Sequence, residues 1–239
     1  MITKIETKSQ IPSEKIIKNI SHGVFIIDEE QKKFPLQDVL QNKLQRIGKK
    51  INDLKKTPIV TELPGGGIIC WVMASDNINL FQCHSLLRKS LELIINEKPV
   101  AISILCQVEA INSKLWGEAA VYVTLLNSQS LPLYKKDNKH VPLKKLTFYG
   151  ADRLIDLKTI SAAVVGNTLT RALTIMPPNE LTPSIYRGKI KKLAKQNKWK
   201  LDEYSMSKLK KMGAGAFFSV GQGSEPQDAA IVHLRYEPK

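Results

Sequence analysis

Residues Met176–Ser224 read MPPNELTPSIYRGKIKKLAKQNKWKLDEYSMSKLKKMGAGAFFSVGQGS. Pro177-Pro178 stop a helix, because a proline lacks the N–H of a helical turn and disfavours helical geometry at the residue before it. Thr182 is a good N-cap and Pro183 suits the first helical position, so a second helix begins there. That helix is expected to bury Tyr186, Ile190, Leu193 and Ala194. Lys200–Tyr204 reads as a short strand. Ser205 caps a shorter helix with Met206, Leu209 and Met212 inward, and Gly213 falls where a left-handed residue ends a helix. The apolar run Ala216–Val220, closed by Gly221-Gln222-Gly223-Ser224, is expected to be a strand, as is Ala229–Tyr236. Strands and helices alternate, which is the pattern of an α/β unit.

Upstream, Leu157–Met176 is a long helix with a narrow apolar seam at Ala162, Val165, Leu169, Ala172 and Met176. Before it the same alternation recurs. Gly23–Asp28 is a β-branched run and hence a strand. Leu36, Leu40, Leu44 and Ile47 repeat at helical spacing, with Gly48 as a stop. Ile59–Leu63 and Ile68–Met73 form a hairpin through Pro64-Gly65-Gly66-Gly67. Asn79–Asn96 is a helix with Leu80, Cys83, Leu87, Leu91 and Ile94 on one stripe. Val100–Cys106 (VAISILC) is an apolar run of the kind a strand buried on both faces shows. Asn112–Leu126 is a further helix and Leu146–Tyr149 a short strand. The polar segment Asn127–Lys145, with six basic or histidine positions between Lys135 and Lys145, reads as a surface loop. The expected division is an α/β domain over 1–150, a connecting helix over 151–176 and a second α/β unit from 177.

The chain has 239 residues, 43% hydrophobic and 24% charged, an ordinary globular balance. No run approaches the roughly 18 apolar residues of a membrane span, and the N-terminus carries no apolar signal region, so a cytoplasmic location is expected. Cys70, Cys83 and Cys106 are an odd number, widely spaced among apolar neighbours, and are expected to be buried and reduced. The net charge of +14 favours anionic partners: nucleic acid, acidic lipid or acidic protein. Lys32–Lys56 and Ser184–Lys200 are the two basic faces. Yet only Arg46, Arg88, Arg153, Arg171, Arg187 and Arg235 are arginines, and aromatics are 6%, which is a poor endowment for a dedicated nucleic-acid reader.

Motifs of chemistry fail on context. Gly65–Gly67 lacks the lysine and Ser/Thr of a phosphate-binding loop and precedes a strand, so it reads as a turn. Gly213-Ala214-Gly215 ends a helix rather than following a strand, and Phe218 stands where a dinucleotide fingerprint needs its third glycine. His22, His84, His140 and His233 show no ligand spacing; His233, within an apolar strand, reads as a core residue. Glu29-Glu30 and Asp202-Glu203 are sequence neighbours whose side chains diverge. No catalytic, cofactor-binding or metal-binding residue is assigned.

The punctuation around Met176 resembles the leucyl aminopeptidase family of cytosolic metallopeptidases. The resemblance rests on Pro177, Pro178, Asn179, Leu181, Thr182, Pro183, Tyr186, Leu193-Ala194 and Leu209, then Met212 to Phe217 and Gln222-Gly223-Ser224. Asn167 and Arg171 before them and Ile231–Tyr236 after them also fit; Ala214 stands where many members have methionine. The resemblance implies a macrodomain-like N-terminal α/β domain, a linker helix and the truncated start of a zinc-peptidase-like α/β catalytic domain. It also implies homo-hexamers that remove N-terminal residues, often leucine, from peptides. In the family two divalent metals, zinc or manganese, polarise the scissile carbonyl and generate a hydroxide near neutral pH. Their ligands lie in V-G-K-G-like, D-T/S-G-G and N-T-D-A-E-G-R-like segments. Here Gly48-Lys49 is followed by Lys50, Gly65 by no preceding Asp-Thr/Ser, and Asn167-Thr168 by Leu169. The expectation is therefore a chain that ends before the ligands, holds no metal and is inactive alone. The alternative is a non-catalytic binding module for nucleic acid, a nucleotide or a partner subunit, using the basic surface.

Overall fold

Where apolar residues occupy every position the strands are central, and where they alternate with charge the strands lie at the edge. The computed structural model describes residues 3–31, 33–76, 78–132, 141–150, 155–223 and 228–238, with only the backbone for 110–112. Lys32, the Lys135–His140 part of the polar loop, Arg153 and Ser224 lie outside the described residues. The chain divides into two units, Met1–Arg171 and Ala172–Lys239.

The first unit is a mixed six-stranded sheet of β1 (Lys4–Lys8), β2 (His22–Ile27), β3 (Ile59–Glu62), β4 (Ile68–Met73), β5 (Ala101–Gln107) and β6 (Lys145–Tyr149). The strand order is β1-β6-β5-β2-β4-β3. All neighbours are parallel except the β3–β4 hairpin. Helices α1 (Glu14–Ile17), α2 (Gln37–Arg46), α3 (Leu80–Ile95), α4 (Ala110–Asn127) and α5 (Leu157–Thr174) complete it. The expected α/β class with a mainly parallel sheet is what is found.

The alternating pleat of β2 sends Val24 and Ile26 to one face and Phe25 and Ile27 to the other. On the first face they meet Leu87 and Leu91 of α3, Trp116 and Val121 of α4, and Ile160 and Val164 of α5. On the second they meet Ile17 of α1, Leu40 and Leu44 of α2, and Leu54 of a 3-10 turn at Ile51–Lys55. Two covered faces explain why β5 is apolar at most of its positions. Phe25 stacks on Trp71 at 4.9 Å between ring centroids. Asn79 caps α3 by accepting from Gln82 N at 2.9 Å, while Gln82 Oε1 accepts from Asn79 N.

The glycine triplet is a turn packed closely on the Lys18–Ser21 backbone. Gly65 N donates to Lys18 O, Gly66 N to Leu63 O, and a Cβ at Gly65 or Gly67 would run into the Lys18–Ser21 backbone. Those amides are spent inside the fold, so no phosphate cradle exists there.

Two elements escape the sequence reading, β1 and α1. β1 is the strand KIETK, charged because it is an edge. Glu6 at its centre lies between Lys145 at 2.8 Å and Lys4 at 2.9 Å, and Lys145 first, then Lys4, draw its carboxyl down to about 2.

α5 corrects the expected seam. Ile160 and Val164 are buried, whereas Ala162, Val165 and Leu169 are exposed. The helix carries two apolar stripes, and the sheet of this unit takes the one displaced by about a third of a turn. Ile47, at the end of the α2 stripe, is also exposed, beyond the last helical turn.

The second unit holds α6 (Pro183–Asn197), β7 (Lys200–Ser205), α7 (Met206–Lys211), α8 (Gly215–Gly221) and β8 (Ala230–Arg235). β7 and β8 pair antiparallel. Thr182 caps α6 with Pro183 at its first position, and Ser205 caps α7. Gly213, at φ 77°, ends α7 in the left-handed region. The expected strand Ala216–Val220 is instead the helix α8. Length and apolarity do not separate a short strand from a buried helical turn; here no strand edge pairs with it, and Gly221 packs directly on Met206 of α7. Met212 and Tyr186 are exposed rather than inward, and so is His233, which lies on a strand of a two-stranded sheet open to solvent. Among the described residues no helix is long and apolar enough to cross a membrane.

Candidate functional site

Parallel strands present their carboxyl ends on one side of a sheet, and in open α/β sheets ligands bind beside those ends where the strand order reverses. In the first unit a cleft of about 800 Å³ lies there, beyond the ends of β1, β2, β5 and β6. Ser9, Glu30, Lys33, Gln107, Glu109 and Gly150 are among its walls. The loop after β2 is fixed by Asp28, a buried carboxylate. Its Oδ1 accepts from Glu30 N at 3.1 Å and its Oδ2 from Glu109 N at 2.9 Å, joining the end of β2 to the start of α4. Gly150, at φ 80°, lies so close to Cys106 O that no side chain fits. Gln107 Oε1 is buried beside the cleft with no partner among the described residues. Among the described residues its walls carry two glutamates, Glu30 and Glu109, and one lysine, Lys33. Sequence reasoning did not find this cleft. Its residues are scattered from 9 to 150, and only the strand order brings them together.

The histidines, cysteines and acidic pairs do not converge. Among the described residues no three His, Cys, Asp or Glu side chains form a metal-ligating group. Three of the four carboxylates in the acidic pairs have cationic partners. Glu29 pairs with Lys55. Asp202 Oδ2 takes Arg235 at 3.1 Å, with His233 at 4.0 Å. Glu203 takes Lys191 at 2.6 Å and Arg187 at 3.2 Å, and the Lys191 contact, then the charge of Arg187, holds its carboxyl below the ordinary value. These three carboxylates therefore face lysines and arginines rather than one another. His22 Nε2 meets Glu97 Oε2 at 2.9 Å, and His84 stacks on Tyr122. Cys70, Cys83 and Cys106 are free and buried, and burial pushes the Cys83 and Cys106 thiols up to about 12. Gly213 and Gly215 flank the break between α7 and α8, with no strand before them.

Asn167 and Arg171 have a structural task. Asn167 Nδ2 donates to Tyr122 Oη at 2.7 Å and Arg171 Nη1 to Leu126 O at 2.8 Å, both on α4. A cation at the carboxyl end of α4 answers unpaired helix carbonyls. These two contacts anchor α5 to α4.

The sequence model of the cytosol aminopeptidase family, catalytic domain, matches residues 168–239. A probable cytosol aminopeptidase of Prochlorococcus marinus is 38% identical over 84 residues, which is 34% of this chain and 16% of that protein. A tomato leucine aminopeptidase mutant superposes with a TM-score of 0.73 at 18% identity, covering 98% of this chain and 50% of that one. The bottromycin maturation enzyme BotP in complex with Mn gives 0.65 at 16% identity, covering 92% and 46%. The chain thus spans about half the length of the solved chains it resembles. At these identities the structural likeness speaks for the fold.

Proposed function

We propose, for a chain whose residues 168–239 are leucyl (cytosol) aminopeptidase-family sequence, that it forms the N-terminal part of a metallo-aminopeptidase subunit. In this reading 1–150 is the N-terminal α/β domain, 151–176 the connecting helix and 177–239 the beginning of the catalytic domain. The intact family's reaction is hydrolysis of N-terminal residues from peptides, often leucine, with two divalent metals, zinc or manganese. Its hexameric assembly and cytoplasmic location go with the same reading. The observation that carries it is the match of 168–239 to the catalytic-domain sequence, on a fold that follows the leucine aminopeptidases along nearly the whole chain.

The residues described here contribute scaffold, and we propose that alone they do not hydrolyse peptides. What supports this is that no three His, Cys, Asp or Glu side chains among the described residues form a metal-ligating group. The purified chain, incubated with a leucyl amide and Mn²⁺ or Zn²⁺, is expected to give no turnover above a metal-only blank. Turnover abolished by a chelator and restored by metal would overturn the reading.

A second reading is a non-catalytic binding module for nucleic acid, a nucleotide or a partner subunit. The net charge of +14 favours it, together with a cleft in the first unit whose described wall residues include arginines and no carboxylate.

A further inference from the structure

That cleft, of about 410 Å³, is formed by α3, α4 and α5, with Phe81, His84, Arg88, Tyr122, Asn127 and Arg171 in its walls. Phe81 stands in the first turn of α3 and is 79% exposed, the most exposed aromatic ring among the described residues. A single exposed ring is ordinary by itself; this one lines a cleft that also holds two arginines and a stacked ring pair. His84 follows three residues later, on the same helical face. Its ring stacks on Tyr122 at 5.0 Å between centroids and 27° between planes. Burial holds His84 below its ordinary value, so near pH 7 the stacked pair is a neutral π surface.

Arg88, one turn beyond His84, and Arg171 of α5 supply charge. Two of the chain's six arginines are therefore in one cleft that has no acidic wall residue among the described residues. Arg88 pairs with Glu92 at 3.0 Å, but both side chains are more than half exposed, and a pair so solvated yields readily to an anion. Arg171 gives Nη1 to Leu126 O and has no carboxylate partner among the described residues. The strut between α5 and α4 accounts for Arg171 and Tyr122. It does not account for the exposed Phe81, or for Arg88 beyond its solvated pair with Glu92. A planar guanidinium suits a phosphate by its fork of donors, and an exposed aromatic ring suits the flat face of a base. The volume lies within the range of small-molecule pockets.

We infer that this cleft binds a nucleoside phosphate, with the base against Phe81 and the His84–Tyr122 pair and the phosphate between Arg88 and Arg171. The inference rests on the second reading above and gives it a location and a ligand chemistry.

The test is calorimetric or NMR titration of the full chain with adenosine 5′-monophosphate, adenosine, inorganic phosphate and a short oligodeoxyadenylate. The monophosphate is expected to bind saturably, and adenosine and phosphate each more weakly. Phe81→Ala and Arg88→Ala are each expected to lower its affinity roughly ten-fold, with unchanged circular dichroism, since both side chains are exposed. An oligonucleotide that binds more tightly, with the same dependence on Phe81 and Arg88, keeps the inference and makes the source a polymer. Absence of monophosphate binding, phosphate binding as tightly as the monophosphate, or indifference to both substitutions overturns it. DNA binding that falls steeply with salt yet ignores both substitutions overturns the cleft and leaves the binding-module reading standing.

Discussion

Trp71 has a single polar atom and lies fully buried, so where its N–H goes matters to the whole first unit. Nε1 donates to Thr61 Oγ1 at 2.7 Å, across the β3–β4 hairpin and beneath Phe25. In the sequence Thr61 is one of two polar positions, with Glu62, in the run Ile59–Leu63, and nothing local shows that its hydroxyl is required. Thr61→Val keeps the shape and removes the acceptor, leaving a buried donor unsatisfied. The expected loss is about 1–3 kcal/mol in urea unfolding, with an unchanged m-value. An unaltered midpoint would mean that Trp71 finds another acceptor and that this hydrogen bond is not what orders the hairpin. Gly150 shows the opposite case. Its glycine was legible as the end of a strand, but its reason is contact with Cys106 O, 44 positions earlier in the chain, which only the pairing of β5 with β6 creates.

Among elements, the legible ones were those whose local chemistry and tertiary setting agree. β5 is apolar at nearly every position because helices cover both faces, and α6 and α7 begin at the capping residues Thr182 and Ser205. Elements went astray where a setting chosen elsewhere in the fold decided the outcome. β1 is charged because it is an edge; α8 is helical because no strand is beside it; α5 has two apolar stripes, and periodicity alone does not say which one is buried. The candidate clefts were illegible for the same reason, since their walls come from elements far apart in sequence. α5 offers a direct measurement. Val164 is buried and Val165 is 70% exposed, although the sequence stripe points to Val165. Val165→Asp is expected to change unfolding free energy by no more than about 0.5 kcal/mol. Val164→Asp places an unpaired carboxylate in the core and is expected to cost on the order of 3 kcal/mol. Equal effects at the two positions would return the helix to the orientation its sequence seam suggests.

For the molecule as a whole, the two units differ in how much they bury. The first has buried clusters on both faces of six strands, with Trp71, Trp116, Phe25 and Phe148 fully enclosed. In the second, the buried hydrophobic side chains are Ala194, Met206 and Leu209, and its sheet has two strands. A two-stranded sheet is marginal without further cover, and Ile231, Leu234 and Tyr236 on or beside β8 are exposed. Stability follows buried apolar area, so the units are expected to open separately. In native-state hydrogen exchange, amides of β2, β4 and β5 should exchange only through near-global unfolding, while those of β7 and β8 exchange through smaller openings that depend little on low concentrations of denaturant. Limited proteolysis should cut first after about residue 177 and leave residues before 150 intact. Matching protection in β5 and β7 would require the second unit to share the first unit's cooperativity, and the proposed division at the connecting helix would then fall.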